Sequence, residues 1–494
     1  MKKILIIGSA FMLLMATSCK KYIDVNQTPN NPTSVPPKVL LPNVEIGMGF
    51  VAGNDLNRAT AILSQHVAGV ANQVAAYDIY LLAGNFDNQW NFEVYNGVIN
   101  NAIILRDQTQ ATSPAYAGIA KLIMAYTFSV ATDLWGDVPY SQAGQGLKYQ
   151  YPRFDKQQDI YEGNFSLGIQ SLFDLVKEGM ADLDKTSVLL PSGTDDLVYK
   201  GNLTNWKKFG NSLLIKFAIT IRKKDPTRAK TEITNALASS AGYINNTSLD
   251  FEVPFGGVTN SQNPIASFNG IPTNTQSIGA GNRPGDQMLS TSFLNLERSL
   301  NDTVRLSKFF TKPNGVFVSY ANGSTAVAPT NANRSRYNVY LTGTAGEAPI
   351  RILTNFEMQF FLAEAVVTLG ITGDANAYYQ AGITANMTKI GMTATEISNY
   401  FATNPAVVTL SGTPDQQLQQ IITQKYISEV GMAIEAYNDY RRTGYPVLSL
   451  SLNASGDNPN VIPKRLPYTN DEINRNPNTP NPRPKTDVPV WWAS

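Results

Sequence analysis

Apolar side chains three and four residues apart recur along most of this chain, and that period commits it to helices. Trp206, Phe209, Leu213, Phe217 and Ile221 make one such stripe. Tyr161, Phe165, Ile169, Leu172, Phe173, Val176, Met180 and Leu183 make another, which predicts a single long amphipathic helix. Residues 116–134 are largely apolar and predict a central helix. Asp225-Pro226 and Thr413-Pro414 each place a capping side chain before a Pro at the first helical position. The second of these opens a helix carrying Leu418, Ile421, Ile422 and Tyr426. A helix over 353–369 ends at Gly370 and leads to another with Tyr378, Tyr379, Ile383 and Met387. That pair has the character of a tetratricopeptide hairpin, although no strict repeat of about 34 residues runs through the chain.

Between about 243 and 351 the helical period is lost. Gly, Asn, Ser, Thr and Pro dominate, with one short helical stretch near 288–300. A loop region this long inside a folded chain is usually functional. From Ser451 onward the sequence is again loop-like and predicts a segment wrapping over the finished body. At 43% hydrophobic and 16% charged the chain is a folded protein rather than a disordered one. Its 39 Lys+Arg against 38 Asp+Glu give no basic excess for nucleic acid or anionic lipid.

The single Cys and single His exclude an internal disulfide and a Cys-rich zinc site, and argue against His-based metal sites and triads. No nucleophile elbow, zinc-protease helix, phosphate loop or calcium loop occurs, so neither a cofactor, a metal nor a catalytic residue is expected. His66 reads as a packed histidine. The carboxylate pairs closest to a glycosidase arrangement are Asp133 with Asp137 and Glu357 with Glu364. All four fall in or beside structural motifs, so the expected protein is not an enzyme. The 46 Asn, 23 Tyr and 5 Trp suit hydrogen bonding to, and stacking on, neutral polar ligands.

The N-terminus sets the compartment. Met1-Lys2-Lys3 precedes twelve largely apolar residues, 4–15, too few to span a bilayer, which needs about 20. Ala16-Thr17-Ser18 then leads to Cys19, a placement resembling a bacterial lipobox, with Ala16 where Leu is usual. The reading is a signal peptide over 1–18, a lipidated tether over 19–40, and one folded domain over 41–494 with its loop-rich insertion at 243–351. Without Lys2 and Lys3 the charge balance becomes 37 to 38. Lys20 follows the Cys, so the Asp that commonly retains lipoproteins in an inner membrane is absent. No other apolar run is expected to reach membrane-spanning length.

Several motifs, in order, resemble the SusD/RagB family of nutrient-binding outer-membrane lipoproteins of Bacteroidetes. They are Asp24-Val25-Asn26 and 29–33 (PNNPT), then 133–140 (DLWGDVPY), 152–155 (PRFD), 196–201 (DLVYKG), 206–209 (WKKF) and 211–213 (NSL). Next come 360–365 (FFLAEA), 424–426 (QKY), 441–446 (RRTGYP) and Ile462-Pro463. One departure is 301–306 (NDTVRL), where the family commonly has Asp-Pro-Arg. Read as residues, these motifs are structural. Gly136 and Pro139 turn the chain out of a helix with Trp135 as a core anchor. Asp439 and Arg442 share a helix face and could pair locally; Glu364 is a candidate long-range partner for that Arg, which sequence alone does not place.

The resemblance implies a mainly α, tetratricopeptide-like scaffold with a long-loop ligand-binding half. It also implies capture of a nutrient, an oligosaccharide before a peptide, for a TonB-dependent SusC-like transporter. The location implied is the outer membrane, lipid-anchored and at the cell surface.

Sugar rings present apolar faces and polar edges, so their sites combine exposed aromatics with amide or charged groups. Two regions offer that mixture. The first holds Tyr77, Tyr80, Asn85, Asn88 and Trp90. The second holds Phe268, Asn269, Asn274, Asn282, Arg283, Tyr320 and Tyr337. Trp90 is the aromatic first expected to meet ligand.

Overall fold

The computed structural model describes residues 35–272 and 283–493. Cys19, the signal segment, Asn274 and Asn282 lie outside the described residues. α1 (Pro37–Gly53) begins with Pro at its first position, so residues 37–40, expected in the tether, are helical, and Leu40 is buried. α2 (Asp55–Leu63), strand β1 (Val67–Gly69) and α3 (Asn72–Asp78) follow. A π-helical stretch, Gln89–Ile99, runs on into α4 (Asn100–Thr109). Asn54 Nδ2 donates to Glu93 Oε1 at 2.7 Å, while Gly47 abuts Gly97 and Val98. As α1 descends the 89–109 run ascends, so the two are antiparallel.

α5 (Pro114–Trp135) corrects one expectation. It is long and apolar enough to cross a membrane by length and composition, yet all 22 residues are buried in protein. A helix apolar on every side is a core helix when other helices surround it. It ends at Gly136, whose φ of 92° favours glycine, and β2 (Val138–Pro139) pairs antiparallel with β3 (Phe154–Asp155).

The stripe expected as one long helix over 161–183 is broken. α6 (Gln157–Glu162) stops at Gly163, a short turn covers Phe165–Leu167, and Gly168 is left-handed before α7 (Leu172–Asp182). Ser171 caps α7 by accepting from Asp174 N at 3.0 Å. Two glycines at positive φ outweigh the apolar period here, and Phe165 stands fully in solvent. α8 (Leu203–Ile221) and α9 (Pro226–Ala238) form a hairpin, with Asp225 accepting from Arg228 N at 2.8 Å as the predicted cap.

The loop half is more structured than its composition suggests. It contains β4 (Phe251–Val253), α10 (Pro264–Asn269), β5 (Gln287–Leu289), α11 (Thr291–Ser299), α12 (Thr303–Phe309) and α13 (Val339–Thr342). Met288 is thus a strand residue, and the helix expected from 288 starts after the Ser290 cap. β6 (Ile350–Leu353) pairs with β4, so Leu353 is also strand, and Thr354 caps α14 (Asn355–Leu369), which ends at left-handed Gly370. α15 (Ala375–Lys389) completes the predicted hairpin; α16 (Ala394–Thr403), α17 (Pro405–Val408), α18 (Pro414–Ser428) and α19 (Ala433–Thr443) follow.

Buried ion pairs fasten these helices together. Glu364 of α14 takes Arg442 of α19 through both oxygens and also Arg222 at the end of α8, 2.5 Å away. Burial pushes the Glu364 carboxyl up, but the Arg442 and Arg222 charges outweigh it and hold it below the usual carboxylate range. Asp439 accepts from Arg442 at 2.8 Å, the local pair the sequence suggested, and from Lys425 at 2.7 Å.

Residues 464–492 wrap over the α5 terminus. Leu466 N donates to Leu134 O at 2.7 Å, Trp135 Nε1 to Pro467 O at 3.0 Å, and Arg465 Nη2 to Trp135 O at 2.7 Å. A Cβ on Gly136 would lie 1.5 Å from that guanidinium, so glycine is required there for a second reason. Trp492 Nε1 donates to Asp133 Oδ1 at 2.7 Å. α20 (Asn470–Arg475) supplies Glu472, which accepts from Trp90 Nε1 at 3.2 Å.

Candidate functional site

The two candidate regions, read separately from sequence, come together through a strand pair about 220 residues apart in sequence. β1 and β5 are antiparallel, with Val67 opposite Leu289, Ala68 opposite Met288 and Gly69 opposite Gln287. Gly69 lets α3 fold straight back over the strand, because a Cβ there would lie 2.0 Å from Val74 O. Ala68, Met288 and Tyr320 form a small apolar cluster of their own beneath the loops, with Val70, Val318 and Ala328 against it.

Tyr320 is therefore a loop anchor. Its ring is buried, and its hydroxyl donates to Ser324 O at 2.8 Å and Ala326 O at 2.7 Å. Asp78 ties the other side, accepting from Asn322 Nδ2 at 2.6 Å and Gly323 N at 2.5 Å. Burial pushes its carboxyl up to about 7, against those hydrogen bonds. Ser451 N donates to Tyr80 OH at 2.8 Å, bringing the wrapping segment to the same place.

The exposed margin of this junction is made of amides and guanidinium groups. Asn72 Nδ2 donates to Asp286 Oδ2 at 2.8 Å, and Gln73 Nε2 to Asn85 Oδ1 at 3.3 Å. Arg334 Nε donates to Pro329 O at 2.7 Å, and burial holds its pKa below the usual value. Arg283 is exposed and fixed through its backbone N to Phe268 O at 2.9 Å, with Asn88, Asn331 and Asn333 also facing water. Phe268 is half-buried beneath Arg58, whose guanidinium carbon lies 3.6 Å from the ring centroid. Asn72, Gln73, Asp286 and the 331–334 amides and guanidinium were not singled out from sequence. The Asn-rich composition was their only signal.

The aromatic half of the expectation is corrected. Tyr77 is buried and donates to Asp55 Oδ2 at 2.9 Å, Tyr80 is buried under the wrapping segment, and Tyr337 packs on Phe310. Asn269 is buried and bonds back to Ile265 O at 3.1 Å. Trp90 is a core residue, edge-on to Trp135 at 5.1 Å and close to Tyr95, Phe154 and Tyr468. Apolar area of that size finds cover when long loops lie above it, which the local sequence does not reveal.

The remaining chemistry is structural. His66 is buried between Phe293 and Tyr426, with Nε2 2.9 Å from Tyr426 O, and burial pushes it down to about 3. Asp133 is buried and accepts from Tyr161 at 2.8 Å and from Trp492, and burial raises it to about 6. Asp137 bonds Lys156 at 2.7 Å, and Glu357 closes the capping box at Thr354. None of the four carboxylates proposed as acid–base pairs faces the junction. Among the described residues no group of three or more His, Cys, Asp or Glu could hold a metal ion.

A SusD-like family model described as "Starch-binding associating with outer membrane" matches residues 29–469. No curated protein sequence matches the chain. Among solved structures, a chitin-binding protein is similar at 22% identity and a TM-score of 0.75, covering 93% of this chain and 100% of its own. A chitin-binding SusD homolog from Flavobacterium johnsoniae is similar at 21% identity and 0.73, covering 93% and 97%. A SusD/RagB family protein from Bacteroides thetaiotaomicron is similar at 22% identity and 0.72, covering 93% and 99%.

Proposed function

The chain belongs to the SusD-like family of starch-binding proteins that associate with the outer membrane, and from that premise we propose that it captures an oligosaccharide at the β1–β5 junction. The observation that carries the reading is the amide and guanidinium margin of that junction. Asn72, Gln73, Asn85, Asn331 and Arg334 offer paired donors and acceptors to hydroxyl groups. Phe268 and Arg283 contribute an apolar ring edge and an exposed cation. The carboxylates there, Asp78 and Asp286, are taken up in hydrogen bonds to Asn322, Gly323 and Asn72, and binding and release is the activity proposed. The captured ligand passes to a TonB-dependent SusC-like transporter, over which this protein sits as a lid, held to the membrane by lipid on Cys19.

Titration calorimetry with a panel of chitin, starch and other plant or microbial oligosaccharides, beside a peptide panel, tests the ligand class. Binding of at least one glycan, weakened by Asn72→Ala with Arg334→Ala, is expected. Binding of peptides alone overturns the glycan reading, and conversion of any substrate overturns the binding-only reading. Cys19→Ala is expected to release the protein from the membrane fraction. Co-purification in mild detergent tests the transporter, and a protein that always elutes alone counts against it.

A further inference from the structure

The 187–190 loop carries three consecutive apolar residues into solvent, with Val188 80%, Leu189 42% and Leu190 56% exposed. It is firmly held. Val188 N donates to Thr112 O at 2.8 Å, Leu189 N to Ser113 Oγ at 3.0 Å, and Tyr116 OH to Leu190 O at 3.3 Å. Ser187 Oγ accepts from Ala115 N at 2.9 Å. The apolar tip is thus bonded over the turn between α4 and α5.

The start of α1 lies at the same end. Gly47 meets Val98 in the antiparallel pairing of α1 with the 89–109 run. Equal helical rise then brings Pro37 level with about residue 108, one turn from Thr112. Val39, in the first turn of α1, is exposed to 56%, and Lys38 beside it is exposed as well. The point where residues before 35 join the body therefore shares one end of the molecule with four exposed aliphatic side chains. Exposed single hydrophobics are ordinary, but three in succession on a pinned loop, beside the chain's attachment point, are not.

We propose that this end of the molecule is a lipid-contact surface, on which Val39, Val188, Leu189 and Leu190 rest against the outer face of the bilayer. The proposal rests on the reading that Cys19 carries lipid. Fifteen residues lie between Cys19 and Val35. Whatever its conformation, fifteen residues reach at most about 50 Å, which keeps the body near the surface. Contact is then intramolecular, so a few aliphatic groups too weak to hold the protein alone still bind when anchored. The near-neutral chain needs no anionic lipid for this. The surface sets the tilt of the body over the membrane and so the direction in which the β1–β5 junction faces.

The test uses the lipidated chain carrying Leu189→Cys. Lipidation consumes the only natural thiol, so an environment-sensitive fluorophore labels position 189 alone. The protein is placed in phosphatidylcholine vesicles with and without a nitroxide-labelled lipid, and flotation is read on the same sample. A floated chain whose label brightens at least twofold and is quenched by the nitroxide lipid supports the proposal. The same label on Val327→Cys, fully exposed in the loop half, is expected to stay in water. Adding Val188→Asp and Leu190→Asp is expected to return the position 189 label to water without changing flotation.

A floated chain with its 189 label open to aqueous iodide overturns the lipid contact alone. Shielding that grows with protein concentration in the absence of vesicles overturns it in favour of a second copy. Shielding that requires the transporter overturns it in favour of that partner. A chain that does not float overturns the anchor, and the proposal with it.

Discussion

Trp90 illustrates how a single residue's surroundings decide its role. Its indole is edge-on to Trp135, near three other rings, and its N–H is taken by Glu472. Trp90→Ala is expected to cost about 3–5 kcal/mol, the usual loss for a truncated core Trp, read by urea unfolding. An unchanged midpoint with lost ligand binding would return it to the site. His66 gives a second residue-scale prediction. A carbonyl can only accept, so Nε2 carries the proton toward Tyr426 O, and the ring is neutral. Its pKa is lowered from 6.5 to about 3. Below pH 6.5 the unfolded chain binds a proton that the native chain refuses, so His66 weakens folding by about 1.4 kcal/mol per pH unit down to about 3. The one His in the chain gives one ring resonance by NMR, expected to stay at the neutral position from pH 8 to pH 5. An inflection near 6.5 would mean that the ring is open to water. Asp78, raised to about 7, acts in the opposite sense: its contribution is fully present below about pH 4 and is lost as pH rises through 7.

At the scale of elements, α5 and α7 cross where two glycines face each other. A Cβ on Gly118 would lie 2.6 Å from Gly179 O, a backbone atom that cannot swing aside. Gly118→Ala is expected to destabilise by about 1–3 kcal/mol in thermal or urea unfolding. Gly193→Ala, whose nearest neighbour would be 3.7 Å away, serves as the control and is expected to be near neutral. The helices themselves were legible because their information is local: the Asp225 and Thr413 caps and the Gly370 stop act within one turn. The break at Gly163 and Gly168 escaped because an apolar period continued across it while the backbone did not. The stretches holding Tyr77 to Trp90 and Phe268 to Tyr337 were foreseen only as two separate regions. Pairing of β1 with β5 is non-local, and three-residue strands carry too little alternation to declare a partner. Burial of Tyr80 and Trp90 was illegible for the same reason, since Ser451, Tyr468 and Glu472 help to cover them, whereas Tyr77 packs on Phe86 and bonds Asp55.

On the whole-molecule scale, residues 464–492 close the helical body over Leu134, Trp135 and Trp90. Removing residues 464–494 is expected to uncover those rings, raising binding of a hydrophobic dye and speeding proteolysis of the α5 region several-fold. A truncated chain as resistant as the intact one would show that the wrap is decorative. The buried ion pairs among α8, α14, α18 and α19 do not depend on that wrap, so secondary structure should largely survive the cut. The Trp135 to Pro467 bond spans 332 residues of sequence, and Trp492 to Asp133 spans 359. Contacts of such separation form late, because loop closure must come before they reward it. A polypeptide delivered across a membrane N-terminus first would present α5 long before its cover arrives. Until residues 464–492 are in place, the apolar seam at Trp135 stays open to chaperones and to neighbouring chains, and the Trp-Gly-Asp turn is the clasp on which they close.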